Sequence, residues 1–225
     1  MIVTRTDGAT PFRLVTHIGD VGHMLVAGPT GMGKSVLLAT LAMQFRRYRG
    51  SRIFAFDMGR SMRATVLGLG GEHYDLGTDG ETAFQPLARI DREGYRTWAA
   101  EWVEGRLLHE GVAVGPDEKA AIWSALGSLA GAPLEQRTMT GLSVLLQSNA
   151  LRQALSPYVL GGAHGKLLDA DHDRLGMAGV QCFEMEELMH SKAAVMAVLH
   201  YLFARFDERF DLSLIHISEP TRLRR

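Results

Sequence analysis

A chain of 225 residues, 46% of them hydrophobic, carries enough apolar material for one large domain or for a core with an inserted subdomain. A net charge of −1 excludes a global electrostatic footprint for nucleic acid, so a nucleic-acid role would need a local basic patch or a ring of subunits. The single cysteine, Cys182, excludes an internal disulfide framework, and its apolar neighbours mark it as a small buried residue rather than a nucleophile.

The first predicted element is a strand over the apolar run His23–Ala27. It leads into Gly28–Ser35, GPTGMGKS, and Val36, Leu37, Leu38, Leu41, Ala42 and Phe45 follow at helical spacing. The eight residues satisfy G-x-x-x-x-G-K-[ST], and a strand before with a helix after is the context in which that string cradles phosphates. A chance match in a glycine-rich chain would lack that context. Gly28, Gly31 and Gly33 permit the angles and close approach that turn successive amides onto a β-phosphate, and the helix points its positive end at the same anion. Lys34 reaches the β and γ oxygens as a point charge, Ser35 offers a hydroxyl to Mg²⁺, and Thr30 places another hydroxyl nearby. The predicted binding set is Gly28, Pro29, Thr30, Gly31, Met32, Gly33, Lys34, Ser35 and Val36, with Lys34 as the charge-stabilising residue and Ser35 as the metal ligand.

Arg46, Arg47 and Arg49 followed by Gly50 read as the basic last turn and C-cap of that helix. Ile53–Phe56 is a continuous apolar run of buried-strand type ending in Asp57 and Gly59, so strand, loop, helix, strand predicts a parallel, right-handed unit. Asp57 stands on the strand end where open α/β sheets bind ligands, and it reads equally as a group behind the phosphates and as a loop cap. Ser61–Leu69 reads as a short helix and Glu72–Leu76 as a small strand.

From about Asp91 to Ser156 the period is helical throughout: Trp98, Trp102, Leu107 and Leu108, then Ile122, Leu126 and Leu129, then Leu142, Leu145 and Leu146. These are core stripes of an all-helical insertion, with Pro116 in a first turn, Thr138 as an N-cap and Ser156-Pro157 as a stop. The following LDADHD segment fails as a calcium loop, because position 6 is Arg174 instead of Gly and position 12 is Val180 instead of Glu, and it reads as a solvated turn. The histidines show no zinc-ligand spacing. Val180–Glu184 is a third core strand, and Glu186 or Glu187 opens a helix that stays apolar through Phe206. Glu184, Glu186 and Glu187 are weak candidates for a catalytic carboxylate, since acids at a helix start ordinarily complement its dipole. The fold class is therefore α/β, a parallel sheet with an all-helical insertion, divided as 1–90 for the first portion of the core, 91–160 for the insertion and 161–211 for the return to the core. No apolar run approaches the ~18 residues that span a bilayer, and MIVTRTDGATPF lacks the apolar core of a secretory signal, which predicts a cytoplasmic chain.

The strings TPFRLVTHIGDVGHMLVAGPTGMGKSVLLATLAMQFRRY, IFAFDMGRSM, GGEHYDL, CFEMEELM and VLHYLFARFDERFD, in that order, resemble the TrbE/CagE-type conjugal-transfer ATPases of type IV secretion. The resemblance covers most of residues 10–211. It implies a RecA-like P-loop NTPase core that uses ATP and Mg²⁺, self-associates as a hexamer, works with other secretion components and lies peripherally at the inner membrane. Two positions depart from the family pattern: Met58 stands where it usually has Lys, which puts any phosphate or subunit contact by that lysine in doubt, and Gln85 stands where it usually has Asn. The family continues after FDERFD into an apolar strand ending in Asp-Glu, whose Asp organises Mg²⁺ and whose Glu polarises the attacking water. Here LSLIHISEPTRLRR follows, and Leu212–Arg222 resemble a translated sequencing adapter, so residues 212–225 read as an artefact tail and the catalytic pair as absent from a segment shortened at both ends.

Two other functions fit the loop. A small nucleotide or nucleoside kinase shares its glycine pattern, but Leu107–Pro133 holds no arginine for a phosphate lid. A non-hydrolysing assembly module would use ATP only to fix a subunit interface.

Overall fold

The computed structural model describes residues 2–5, 11–14, 22–77 and 82–214, with side chains described in 22–77 and 82–209. The chain forms two compact units, Met1–Asp75 with Gly176–Glu186, and Leu76–Leu175 with Glu187–Arg225.

The first unit holds the sheet. A separate antiparallel pair, β1 (Ile2–Arg5) with β2 (Pro11–Leu14), precedes the loop and is not among the predicted elements. Strands β3 (Ile53–Asp57), β4 (Glu72–Asp75) and β5 (Val180–Glu184) pair in parallel in the order β3-β5-β4. All five residues of β5 are buried, as its position between two neighbours requires. The register aligns Asp57, Glu184 and Asp75 as a row of carboxylates at the C-terminal ends. Helices α1 (Lys34–Phe45) and α2 (Arg63–Gly68) supply the apolar cover. Met62, Val66, Val180 and Cys182 form a buried cluster on which Ala39, Ala42, Ile53, Ala55 and Leu69 pack. A Cβ on Gly71 would lie 2.5 Å from the Val180 carbonyl oxygen, so glycine lets β4 start against β5.

Two expectations for this unit are corrected. Residues 22–29 have no regular structure, so the predicted strand at His23–Ala27 does not form, and Leu25 is 91% exposed. A strand draws its stability from a ladder partner, and among the described residues β3 pairs only with β5, so the run has none. The parallel order is carried instead by β3 and β4 on either side of β5. Helix α1 also ends earlier than Gly50: Arg46 is its C-cap, and Gly50, at φ 75°, serves the turn after it.

Burial pushes the Cys182 thiol up to about 12, with Asp57 and Glu184 adding in the same direction. Thiolate is then scarce in the folded chain until the pH approaches that value. The folded protein is expected to resist a thiol reagent at pH 8 and to react within the mixing time in denaturant. Rapid labelling of the native chain would contradict the burial.

The second unit is helical. It contains α3 (Glu93–His109), α4 (Pro116–Ala130), α5 (Met139–Leu145), α6 (Asn149–Leu155), α7 (Gly165–Leu168) and α8 (Lys192–Leu214). Trp102, Leu107, Ile122, Leu126, Met139, Leu142 and Tyr201 are fully buried, and the Trp102 indole donates to the Ala197 carbonyl at 3.0 Å, tying α3 to α8. The predicted caps are in place: Pro116 is in the first turn of α4, and the Thr138 hydroxyl accepts from the Gly141 amide. The buried stripes are narrower than the predicted ones. Leu108 and Leu145 are exposed: α3 packs against α4, α6 and α8, yet Leu108 lies about 100° around the axis from buried Leu107. Trp123, also exposed, lies under the Arg96 guanidinium, 5.6 Å from its ring centroid.

Helix α8 begins at Lys192, not at Glu186 or Glu187. The Ser191 hydroxyl accepts from the Ala194 amide and so caps it, a role serine fills better than glutamate. The LDADHD turn is also more than solvated loop. Asp169 accepts from the Thr140 amide at 2.9 Å and from its hydroxyl, Asp173 accepts from the Tyr201 hydroxyl and faces Arg205 at 3.5 Å, and Asp171 is exposed. Gln85, only 1% exposed, donates to the Leu134 carbonyl at 2.6 Å and so pins the loop after α4. Beyond Leu214, the predicted artefact tail lies outside the described residues.

Candidate nucleotide site

Residues 30–33 form a turn and bend that end at Gly33, the N-cap of α1. Gly31 and Gly33 both adopt φ 81°, the left-handed region open to glycine at little cost. A Cβ at either position would meet no atom within 4 Å, so the glycines are required here by backbone angle and not by crowding. No side chain caps the start of α1, and its first turn holds no acid. The amides there keep their positive end without a carboxylate of the first turn competing for it. The first helical bond, from the Leu37 amide to the Gly33 carbonyl at 2.9 Å, sets the helix direction.

Lys34 folds back over the turn. Its ammonium donates to the Gly28 and Pro29 carbonyls, each at 2.7 Å, and so closes the loop into a ring. Met32 and Val36 flank it at 73% and 70% exposure. Uncapped amides, one ammonium and the Ser35 hydroxyl make a donor-rich loop without a carboxylate, and that donor set fits a phosphate chain. Among the described residues no group of three or more His, Cys, Asp or Glu could hold a metal ion by itself.

The strand-end carboxylates have other work. Asp57 accepts from the Ser61 hydroxyl at 2.6 Å and from the Met62 amide at 2.7 Å, the bonds of a cap on the turn that opens α2. Glu184, 3% exposed, accepts from the amides of Gly59 (3.1 Å), Arg60 (2.6 Å) and Glu186 (3.1 Å). Those bonds hold Arg60 at φ 58°, a left-handed angle that is costly for any residue with a Cβ. Its guanidinium reaches Asp75 at 2.7 Å. Glu184 is thus a clamp on the Gly59–Arg60 turn, while Glu186 and Glu187 are exposed.

Sequence reasoning missed this clamp. Gly59 after Asp57 signalled a turn, but the acid that grips it lies 125 residues away in sequence. It also missed the lock between β4 and β5. There the buried Gln181 amide donates to Glu72 (2.9 Å), Tyr74 (3.1 Å) and the Gly176 carbonyl (3.1 Å), and burial raises the Tyr74 hydroxyl above its ordinary range.

No protein-family model matches the chain. It is 43% identical over 211 residues to the conjugal transfer protein TrbE of Rhizobium radiobacter, covering 90% of this chain and 26% of that protein. It is 42% identical over 211 residues to a probable conjugal transfer protein TrbE of Sinorhizobium fredii, covering 91% of this chain and 32% of that protein. Type IV secretion system protein virB4 of Bartonella henselae is 24% identical over 212 residues, 92% of this chain and 27% of the relative. The chain thus spans about a quarter to a third of the length of these relatives. The solved structure of VirB4 from Thermoanaerobacter pseudethanolicus matches with a TM-score of 0.58 at 19% identity, over 80% of this chain and 55% of that one, and so shares the fold. Over nine-tenths of its length the chain belongs with the TrbE and VirB4 proteins of conjugal transfer and type IV secretion, on a P-loop NTPase-like α/β fold.

Proposed function

We propose that the chain is the ATP-binding segment of a conjugal-transfer ATPase whose whole protein hydrolyses ATP to energise substrate transfer or pilus assembly. The observation that carries this reading is the Gly28–Ser35 loop, with two left-handed glycines, an uncapped helix start and a lysine folded across it.

In this reading the amides from Gly31 to Val36 hold the phosphate oxygens, and the Lys34 ammonium gives up its two carbonyl partners for the β and γ oxygens. Pro29, Thr30 and Met32 shape the turn that carries those amides. The Ser35 hydroxyl would hold Mg²⁺, which would supply charge neutralisation at the phosphates. Lys34 and the amides stabilise the charge that develops in transfer, and Asp57 acts at one remove by keeping the Ser61–Met62 turn in shape.

Helix α1 has no fully buried residue, and Leu38, Met43 and Phe45 on it are each close to half exposed. Such apolar surface supports a segment that works inside a larger protein and assembles with copies of itself and with other secretion components. Among the described residues no helix is long and apolar enough to cross a membrane, in keeping with a cytoplasmic face peripheral to the inner membrane.

The test is ATP turnover by the whole protein. Release of phosphate with no acceptor present is expected, and turnover seen only with a nucleoside acceptor would replace this reading with that of a kinase.

A further inference from the structure

A depression of about 520 Å³ runs between α4 on one side and the end of α5 and start of α6 on the other. It abuts a second one of about 440 Å³ that shares Ser128 and Leu145 with it. One wall is built from the small residues Ala121, Ser124 and Ser128, at turn spacing along α4, where a helix axis can approach closely. On the other side Leu145 is 42% and Val144 74% exposed, an apolar rim beside the groove. Fifteen residues of α4 give it a length of roughly 22 Å, enough to seat a helix of about four turns.

The charges along this groove are one-sided. Asp117 and Glu118, in the first turn of α4, are the charged residues lining the two depressions, and no Lys, Arg or His lines either. Acids at a helix start complement its dipole, and the Glu118 carboxylate also accepts from the Gly115 amide at 2.9 Å, but here both acids stand at the more polar end of a trough that turns apolar toward Leu145 and Val144. A helix laid antiparallel to α4 would bring its negative C-terminal end to the positive start of α4. Basic residues in its last turn would then lie beside Asp117 and Glu118.

We propose that this face of the helical unit docks an amphipathic helix of a partner protein, antiparallel to α4, with an Ala- and Leu-rich face in the groove and Lys or Arg in its last turn. The site is independent of the nucleotide loop.

Three labelled helical peptides of about 14 residues, identical in their Ala/Leu face, test it on the 225-residue chain by fluorescence anisotropy at physiological salt. One carries an Arg pair in its last turn, one an Arg pair in its first turn, and one a Glu pair in its last turn. The first is expected to bind at least about tenfold more tightly than the other two. Ser124→Trp, which fills the trough, is expected to weaken it at least about tenfold while circular dichroism stays unchanged. Asp117→Lys, at an exposed position, is expected to favour the Glu peptide over the first, and it decides the matter if Ser124→Trp does not fold. Equal binding of the three peptides, no binding of any, or a preference untouched by Asp117→Lys would overturn the proposal.

Discussion

Lys34→Ala is expected to lower the affinity of the chain for ATP at least about 100-fold, or about 2.7 kcal/mol, measured by calorimetry with Mg²⁺ present. In the proposed reading, two charge-assisted bonds to phosphate oxygens, each contributing about 1.5–3 kcal/mol, would disappear with the ammonium. The bonds that Lys34 makes to the Gly28 and Pro29 carbonyls disappear as well, so the turn loses the strap that preorganises it. The same substitution should barely change thermal unfolding, because those bonds lie at an exposed site and cap no core element. An ATP affinity equal to that of the unsubstituted chain would refute the loop assignment. Loss of affinity together with loss of cooperative unfolding would show that the lysine acts on the fold instead.

Glu184→Ala should produce the largest stability change in the sheet unit, about 3–5 kcal/mol by urea unfolding. Three backbone amides depend on this carboxylate, and removing it strands all three around a buried strand end. It also releases Arg60 from its left-handed angle, which returns a little of that strain and keeps the loss from running higher. Glu184→Gln keeps one acceptor oxygen and should cost roughly half as much. A loss below about 1 kcal/mol for the alanine variant would mean that the Gly59–Arg60 turn stands without the clamp, and would reopen Glu184 as a group held for chemistry.

The loop's shape is legible locally. The GPTGMGKS string needs only eight consecutive residues, and the left-handed angles of Gly31 and Gly33 and the bonds from Lys34 to the Gly28 and Pro29 carbonyls form within it, so no distant contact has to be foreseen. The strands at Ile53–Phe56 and Val180–Glu184 are legible for the same reason, from β-branched and aromatic composition, although only β5 is buried throughout and Phe56 of β3 is 41% exposed. The caps at Pro116 and Thr138 depend on a few neighbouring residues each. Sequence and structure part where a partner is remote. His23–Ala27 has strand composition but no ladder beside it among the described residues, and LDADHD looks solvated until Thr140, Tyr201 and Arg205 arrive from other elements. Glu184 resembles a spare acid in the sequence because the amides it holds belong to two different turns.

By itself, then, the sequence determined the loop, the strands and helices with strong periods, and kinship with conjugal-transfer proteins, because propensity, pattern and motif act over one to four turns of chain. Only the tertiary structure decided that Asp57 caps a turn, that Glu184 clamps another, that the run ahead of the loop finds no strand partner among the described residues, and that the small residues of α4 line an open trough. Each of these depends on which residues far apart in sequence are brought within hydrogen-bonding or van der Waals distance, and no local pattern encodes that.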